Sequence, residues 1–394
     1  MIQSTDFFFR LFLPRALLCA CAFCWHKLMS LTTDINEANF RCLRAPAQAT
    51  SQQALSTLNL AMPRFAGTII YVGAMLQILC APFVLAITES RTSQRHPIHV
   101  AICADRAQLM GLAALVNSIL LNSSDDEALF FHIVTTPPDA ALITSTLECV
   151  LSGHDATFRV YNFGRRMNPK LLKVHSAAHR AYGLNNRLNF ARFFLGDILP
   201  WSRDKFSKVL YFDTDCLVTT NIAGLYRSML TRNEDVVLAA ATRNSTIDAW
   251  VNLTAPAVVA WNEIHPYRLV NASVIAFNAG VLGINLAAWK RLNIFDDCMH
   301  WAYANARDPL YLIGSNPPLV LGTVGRVELF EEHWNVADLE SRSRRGISNI
   351  NGKVLHWTGP NKPWLASAEV PMHDLWTRYS LQKCVPSTQL PSQG

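Results

Sequence analysis

From Ile98 onward the chain alternates between short apolar runs and longer amphipathic stretches, and this alternation constrains the fold more than any other feature. Short runs rich in β-branched and aromatic residues are typical of buried strands, whereas apolar residues at helical spacing are typical of helices. Strands that alternate with helices predict the α/β class. We predict strands at 99–104, 129–135, 157–161, 208–212, 236–240, 324–330 and 353–357, and a strand–glycine–strand pattern around Gly280 at 273–285. We predict helices at 108–121, 140–151, 186–199 and 286–299.

An acidic pair follows the strand predicted at 208–212. Asp213 and Asp215 come directly after the apolar sequence Val-Leu-Tyr-Phe, and ligands of open α/β sheets bind outside the carboxyl ends of the strands. Because side chains alternate along an extended chain, we expect both carboxylates to point to the same side and to reach one ion. Hard oxygen ligands suit Mn²⁺ or Mg²⁺. The alternative interpretation is a pair of solvated turn carboxylates.

A second motif lies near the C-terminal end of the chain. His356 ends a short apolar run, and Gly359 and Lys362 follow it closely. A histidine nitrogen added to two carboxylates favours Mn²⁺ over Mg²⁺. The glycine permits close approach of the backbone to phosphate, and the lysine supplies a point charge. Together the two motifs predict an enzyme that binds a nucleoside-diphosphate sugar on a metal ion, with metal and lysine stabilising the leaving group.

The charge pattern gives no sign of nucleic-acid binding. The formal net charge of +6 is spread over 394 residues, without a block of like charges. Half of the residues are hydrophobic, and part of that fraction lies in one uncharged run at 65–88. At 1.5 Å per residue this run is long enough to cross a hydrocarbon core about 30 Å thick. A buried core helix and a cleaved signal are the alternative interpretations.

The positive charges before this run predict a type II orientation with the N-terminus in the cytoplasm. They are Arg10, Arg15, Lys27, Arg41, Arg44 and Arg64. We therefore predict a cytoplasmic, irregular leader at 1–64, a transmembrane anchor at 65–88, a stem at 89–97, a luminal catalytic domain at 98–380 and a loose tail at 381–394.

Four sequons lie after the predicted anchor and are consistent with a luminal domain, although most of the chain lies there. The sequons are at Asn122, Asn244, Asn252 and Asn271. The cysteines are Cys103, Cys149, Cys216, Cys298 and Cys384. Five cysteines allow at most two disulfides and one free thiol, and we predict that Cys103 and Cys216 are core thiols.

Six segments carry a resemblance to a known family. They are 189–200 (NFARFFLGDILP), 209–215 (VLYFDTD), 277–281 (FNAGV), 314–318 (GSNPP), 332–335 (EHWN) and 355–364 (LHWTGPNKPW). Over about residues 97–380 the chain is similar to glycosyltransferase family 8, and within it to the plant-type galacturonosyltransferase-like group. The resemblance implies a GT-A type fold, which is a Rossmann-like mixed sheet flanked by helices. It also implies a retaining transfer from a UDP-sugar in the Golgi or ER membrane.

The resemblance assigns roles to individual residues. It implies Mn²⁺ binding by Asp213, Asp215 and His356, diphosphate binding by Gly359 and Lys362, a uridine contact from Asp105, a donor-sugar contact from Arg192, and a sugar pocket at Asn278 and Gly280. Asp213, Asp215 and Lys362 would carry the catalysis. The alternatives are a helix N-cap for Asp105, a surface arginine for Arg192 and a turn residue for Asn278.

The chain departs from the family pattern in one place. Many members carry an Asp-Gln pair near the reacting sugar carbon, where this chain reads Leu-Ile-Gly-Ser-Asn-Pro-Pro at 312–318. A carboxylate nucleophile is therefore not evident. Either an oxygen of the β-phosphate acts as base on the face that UDP leaves, or another residue serves.

The leading hypothesis is an α-glycosyltransferase that moves a hexosyl, uronosyl or pentosyl group from a UDP-sugar onto a glycan hydroxyl. One alternative is a noncatalytic, membrane-anchored partner of another glycosyltransferase, which the complete set of metal and phosphate residues disfavours. Another is a self-glucosylating enzyme of the glycogenin type, which the anchor disfavours. Homo- and hetero-oligomers both stay open.

Overall fold

The computed structural model describes residues 96–124, 126–164, 187–229, 233–312, 314–346, 351–365 and 370–386, without the side chain of Asn244. The leader and the anchor predicted at 65–88 lie outside these ranges, so both stay predictions. No helix within the described ranges is both long and apolar enough to cross a bilayer.

The described residues form two sheets. Seven strands make a mixed sheet in the order β3-β2-β1-β4-β7-β6-β8, and two short strands, β5 and β9, make a second. Strands β1 to β4 run parallel, whereas β7 runs antiparallel to both of its neighbours. The strands are β1 (Ile98–Cys103), β2 (Leu129–Thr135), β3 (Ala156–Asn162), β4 (Lys208–Phe212), β5 (Cys216–Val218), β6 (Leu238–Thr246), β7 (Ile275–Asn285), β8 (Val327–Phe330) and β9 (Val354–His356).

Helices cover both faces of the large sheet. The α-helices within the described ranges are α1 (Leu109–Asn122), α2 (Ala140–Val150), α3 (Leu195–Ile198), α4 (Ala223–Ser228), α5 (Pro256–Ile264), α6 (Leu286–Arg291), α7 (Ile294–Arg307), α8 (Asn316–Gly322), α9 (Leu339–Arg344) and α10 (His373–Tyr379). Short 3₁₀ helices lie at Arg106–Gln108, Pro137–Asp139, Arg187–Phe194, Ile247–Ala249, Glu332–Trp334 and Gln382–Cys384.

Alternate residues of β1 belong to different hydrophobic clusters. Ala101 and Cys103 pack into the cluster that contains Trp289 and Trp301 of α6 and α7. Val100 and Ile102 pack into the opposite cluster, which contains the apolar residues of α1. This is the period-two alternation expected of a strand covered on both faces. The prediction of a mixed α/β sheet flanked by helices is thereby confirmed.

Two predicted helices differ from the structure. The stretch predicted as an amphipathic helix at 186–199 is a 3₁₀ helix at Arg187–Phe194, followed by the single turn of α3. The helix predicted at 286–299 is divided into α6 and α7, because Asn293 has a φ of 51°. Asparagine tolerates this left-handed conformation better than most residues, and it ends the first helix there.

The pairing of β5 with β9 brings the two ends of the predicted site together. The strand β9 was predicted at 353–357, whereas β5 and its pairing with β9 were not, and this pairing sets Cys216 opposite His356. The backbone N–H of Trp357 then donates to the carbonyl oxygen of Asp215 at 3.0 Å. His356 therefore lies beside the acidic pair, although the two are far apart in sequence.

One disulfide fastens the C-terminal segment to the sheet domain. It joins Cys149 of α2 to Cys384, 235 residues later. Cys103, Cys216 and Cys298 are free and buried, which confirms the prediction that Cys103 and Cys216 are core thiols. The single bond also agrees with the limit of two disulfides.

Candidate active site

The acidic pair lies at the carboxyl end of β4, where the chain turns before β5. The backbone N–H of Cys216 donates to the carbonyl oxygen of Asp213 at 3.1 Å, which closes this turn. The alternation of an extended strand therefore does not apply between Asp213 and Asp215. The two carboxylates contact different side chains, and the expectation that both reach one ion stays a prediction.

Asp215 is held by two groups from β9 and the loop that follows it. Its Oδ1 lies 3.2 Å from Nε2 of His356, and its Oδ2 accepts a hydrogen bond from Nζ of Lys362 at 2.5 Å. Burial alone would raise the pKa of Asp215. The charges of His356 and Lys362 and their hydrogen bonds outweigh burial and hold this pKa well below its usual range. Asp215 is therefore a carboxylate at neutral pH.

The amide of Asn335 fixes which nitrogen of His356 carries the proton. Nδ2 of Asn335 donates to the carbonyl oxygen of Asn278 at 3.2 Å, so Oδ1 of Asn335 is the atom that faces Nδ1 of His356 at 3.0 Å. An amide oxygen only accepts, so Nδ1 of His356 must be the donor. Nε2 is therefore the nitrogen that faces Asp215; it donates to the carboxylate when the ring is protonated and presents a lone pair when the ring is neutral. A cation would replace that proton between Nε2 and the carboxylate, and a hydrogen bond from the other ring nitrogen, as to Asn335 here, orients a metal-ligating histidine.

Gly280 makes room for the ring of His356. A Cβ placed on Gly280 would lie 2.1 Å from Cε1 and 2.5 Å from Nδ1 of His356. Asn278, two residues earlier on β7, accepts a hydrogen bond from the N–H of Gly280 at 2.8 Å. The Asn-Ala-Gly segment of β7 is thus the surface against which His356 packs.

Asp213 is bound by a different set of side chains. Its Oδ1 accepts from Nη2 of Arg192 at 2.9 Å and from the hydroxyl of Tyr211 at 2.6 Å. Arg192 also donates to the carbonyl oxygens of Ala279 and Asn189. Burial lowers the pKa of Arg192, but Asp213 and the neighbouring groups outweigh this and raise it. Arg192 is a buried cation rather than a surface arginine, so that alternative is wrong.

A divalent cation fits the donor atoms present. Among the described residues, the ligand atoms that lie within 4.8 Å of one another belong to Asp215, Cys216 and His356. Burial raises the pKa of the Cys216 thiol well above its ordinary value, and a protonated thiol is a poor ligand. The carboxylate of Asp215 and Nε2 of His356 are the matched pair, and they suit Mn²⁺. Asp213 is not part of this group, and its assignment as a ligand stays a prediction.

The loop that carries Lys362 is held open toward solvent. Lys362 also donates to the carbonyl oxygen of Trp357 at 2.8 Å. Gly359 has a φ of +92°, and a Cβ placed there would meet no atom within 4 Å, so the space in front of it is open. The C-terminal segment supports this loop, because Nε1 of Trp357 donates to the carbonyl oxygen of Pro371 at 2.8 Å.

The remaining predicted residues lie at the same edge of the sheet or beneath it. Asp105 follows β1, which runs parallel to β4, and it caps the 3₁₀ helix at Arg106–Gln108 by accepting from the N–H of Ala107. Its predicted contact with uridine stays a prediction. Asn278 is buried and engaged by Gly280 and Asn335, so its predicted place in a sugar pocket also stays a prediction.

Three residues of the site were not singled out from the sequence. Asn335 orients His356, and Tyr211 binds Asp213. Gly111 lets α1 approach the turn, because a Cβ there would lie 2.6 Å from the carbonyl oxygen of Thr214. A glycine in the first turn of a largely apolar helix was a usable signal for the last of these. Asn335 and Tyr211 lie within quoted segments, yet only tertiary contacts reveal their roles.

Comparisons with known proteins show which family the chain is similar to. The family model described as "Glycosyl transferase family 8" matches residues 99–368. The chain is 30% identical over 306 residues to "Probable galacturonosyltransferase-like 3" of Arabidopsis thaliana, an alignment that covers 73% of this chain and 81% of the relative. It is also 30% identical to "Probable galacturonosyltransferase-like 8" of the same plant, over 75% of each chain.

Solved structures share the fold. The WbbM bifunctional glycosyltransferase superposes with a TM-score of 0.53 at 18% identity, over 73% of this chain and 50% of that one. An active-site mutant of LgtC superposes with a TM-score of 0.50 at 21% identity, over 72% of this chain and 95% of that one. Because the family model covers more than half of its length, the chain belongs to glycosyltransferase family 8 and is a glycosyltransferase.

Proposed function

We propose that this glycosyltransferase uses a UDP-sugar, retains the anomeric configuration, and transfers a hexosyl, uronosyl or pentosyl group to a glycan hydroxyl with the help of Mn²⁺. The observation that carries the proposal is the contact between Nε2 of His356 and Asp215, with Asn335 accepting from Nδ1 so that Nε2 is the nitrogen turned toward the carboxylate. Such a nitrogen and carboxylate beside an open, lysine-bearing loop suit a metal-bound diphosphate.

The chain's own residues have distinct tasks in this proposal. Asp215 and His356 hold the cation, which when bound supplies positive charge against the departing diphosphate. An ammonium group has three donors, and Lys362 uses two of them on Asp215 and Trp357. The third is left for a phosphate oxygen. The backbone at Gly359 allows that oxygen to approach closely.

Arg192 and Tyr211 hold the carboxylate of Asp213 in place at the entrance to the turn. Arg192 is buried and already paired with Asp213. It therefore acts on the donor sugar by positioning Asp213, or by contacting a sugar that binds directly beside Asp213. No carboxylate of the chain acts as a nucleophile in this proposed reaction. A β-phosphate oxygen of UDP is the base on the face that UDP leaves.

We place the domain on the luminal side of a Golgi or ER membrane, behind the anchor predicted at 65–88. The disulfide between Cys149 and Cys384 supports an oxidising compartment. The names of the Arabidopsis relatives support UDP-galacturonate as the first donor to test. UDP-galactose, UDP-glucose and UDP-xylose complete the panel.

The test is UDP release by the full-length protein in detergent, with Mn²⁺, across this panel of donors. The proposal predicts slow hydrolysis of one donor, which is lost with EDTA and in Asp215→Ala. A matched control is Asp204→Ala, because Asp204 pairs with Arg159 and Arg203 at the surface. Release that persists in EDTA, or an Asp215→Ala protein as active as Asp204→Ala, would contradict the proposal.

A further inference from the structure

The sequons of this chain occupy different environments in the fold. Asn252 and Asn271 lie in exposed turns, whereas Asn122 lies at the C-terminal end of α1 and is partly buried. We propose that Asn271 carries an N-linked glycan and that this glycan covers an apolar groove beside it. The inference depends on the luminal placement proposed above and is independent of the catalytic chemistry.

Asn271 presents an available amide nitrogen. Its Oδ1 accepts from the backbone N–H of Ser273 at 2.9 Å and from the hydroxyl of Ser273 at 2.6 Å. Both contacts use the oxygen, and the nitrogen makes no hydrogen bond within the described residues. Residues 271–273 are all exposed. The same geometry recurs at Asn252, whose Oδ1 accepts from the N–H and hydroxyl of Thr254.

Asn122 is the contrasting case, because its amide nitrogen is fully used. Nδ2 donates to the carbonyl oxygen of Ser118 at 2.9 Å, to that of Val218 at 3.2 Å and to the hydroxyl of Tyr379 at 3.2 Å. A glycan on this nitrogen would break these contacts between α1, β5 and α10. Folded molecules are therefore expected to carry no glycan at Asn122.

The groove beside Asn271 is unusually apolar for a surface. It has a volume of about 440 Å³ and is lined in part by Tyr267, Leu269, Ile275 and Leu329. The side chain of Tyr267 is 97% exposed, and the other three are also exposed. Leu329 belongs to β8, an edge strand of the large sheet among the described residues. Exposed apolar patches beside an open strand edge promote self-association.

A glycan at Asn271 would cover these exposed apolar residues and so oppose self-association. Asn271 and Ser273 themselves line the groove, so the first sugar rings would start at its rim. N-linked glycans are bulky and solubilising. The C–H faces of pyranose rings are apolar and pack on aromatic rings, and Tyr267 offers such a ring at the entrance.

The modification transfers an oligosaccharide from a lipid-linked diphosphate to the amide nitrogen of Asn271. The bond between the anomeric carbon of the oligosaccharide and its phosphate oxygen breaks, and a bond from that carbon to Nδ2 of Asn271 forms. The amide nitrogen gives up one proton, and the lipid diphosphate leaves with the bonding electron pair. No oxidant or reductant takes part.

The test uses the full-length protein expressed in a eukaryotic secretory host. Peptides of the folded, disulfide-linked protein are treated with peptide N-glycosidase in ¹⁸O-labelled water, and mass spectrometry reads the conversion of asparagine to labelled aspartate. We expect conversion at Asn271 and none at Asn122. Ser273→Ala should remove one glycan from the intact mass, whereas Ser273→Thr, which keeps the sequon, should retain it.

The shielding role has its own measurement. We expect Ser273→Ala to bind more hydrophobic dye and to self-associate more than Ser273→Thr, and Tyr267→Ser in the Ser273→Ala background to reverse both effects. Equal dye binding by Ser273→Ala and Ser273→Thr would overturn the shielding role.

Protease protection in intact microsomes separates the two proposals. An unmodified Asn271 in protein that is protected from added protease would overturn the glycan alone. Protein that is digested from outside the microsomes would overturn the glycan together with the luminal placement. UDP release plays no part in either readout, so failure of the catalytic proposal stays distinguishable.

Discussion

Gly280→Ala is the substitution whose consequence follows most directly from the geometry of the site. The new methyl group would lie 2.1 Å from Cε1 of His356, which is more than 1 Å short of the 3.4 Å at which ordinary van der Waals contact begins. His356 is buried, so its ring must move and its hydrogen bond to Asn335 must lengthen. Overpacking of this kind costs about 1–3 kcal/mol, and a displacement of about 1 Å at a reacting site costs roughly 100-fold in rate.

The assay combines thermal unfolding with Mn²⁺-dependent UDP release. The matched control is Gly224→Ala on α4, where an added Cβ meets no atom within 4 Å and alanine favours the helix by about 1 kcal/mol. We expect Gly280→Ala to lose both stability and Mn²⁺-dependent UDP release, while Gly224→Ala keeps both. In Gly280→Ala/His356→Ala the clash is relieved, so the two stability losses should not add. A Gly280→Ala protein that behaves like Gly224→Ala would refute the reasoning.

Three further predictions address other parts of the fold. Asn335→Ala should raise the Mn²⁺ concentration for half-maximal UDP release about 10- to 100-fold, because it frees the ring of His356, and an unchanged value would contradict this role. Cys149→Ser/Cys384→Ser should lower the free energy of unfolding by up to about 5 kcal/mol, since the bond closes a loop of 235 residues; equal denaturation midpoints for both proteins would contradict it. Burial lowers the pKa of His99 to about 4 and of His132 to about 3, from an ordinary 6.5. Between these values the two histidines are protonated in the unfolded chain but neutral in the folded one. The free energy of unfolding should therefore fall as the pH drops from 6.5 towards 4. Denaturant titrations at several pH values should show that His132→Gln loses less stability across that range.

Local patterns were enough to predict most of the sheet. The strands at β1, β2 and β4 and the helix α1 follow from continuous apolar runs and helical spacing, and their bounds agree closely with the structure. These elements are buried on the face that the sequence pattern indicates. For such segments, local preference and tertiary packing favour the same conformation.

Elements controlled by distant contacts could not be predicted. Arg187–Phe194 contains six buried residues, Arg192 among them, so it lacks the polar face that an amphipathic helix needs. Arg192 is stable there only because Asp213 neutralises it. Likewise β7 continues through Gly280 as one strand, where the sequence showed two strand segments around a glycine.

The candidate site was predicted in composition but not in arrangement. Asp215, His356 and Lys362 meet as the two motifs suggested. The division of labour between Asp213 and Asp215 depends on the turn before β5 and on a three-residue pairing with β9. Strands this short carry too few residues to show a periodic pattern. The role of Asn335 depends on a hydrogen bond across that same pairing.

Pulsed electron paramagnetic resonance of Mn²⁺ bound with UDP tests the central claim most directly. If His356 and Asp215 hold the cation, the spectrum will contain a coupling to one histidine nitrogen, and His356→Gln will remove that coupling and weaken Mn²⁺ binding. His373→Gln is the matched control, because the ring of His373 contacts the carbonyl oxygen of Pro363 at 3.1 Å and should leave the coupling unchanged. A spectrum without nitrogen coupling, or one that His356→Gln leaves intact, would contradict the account.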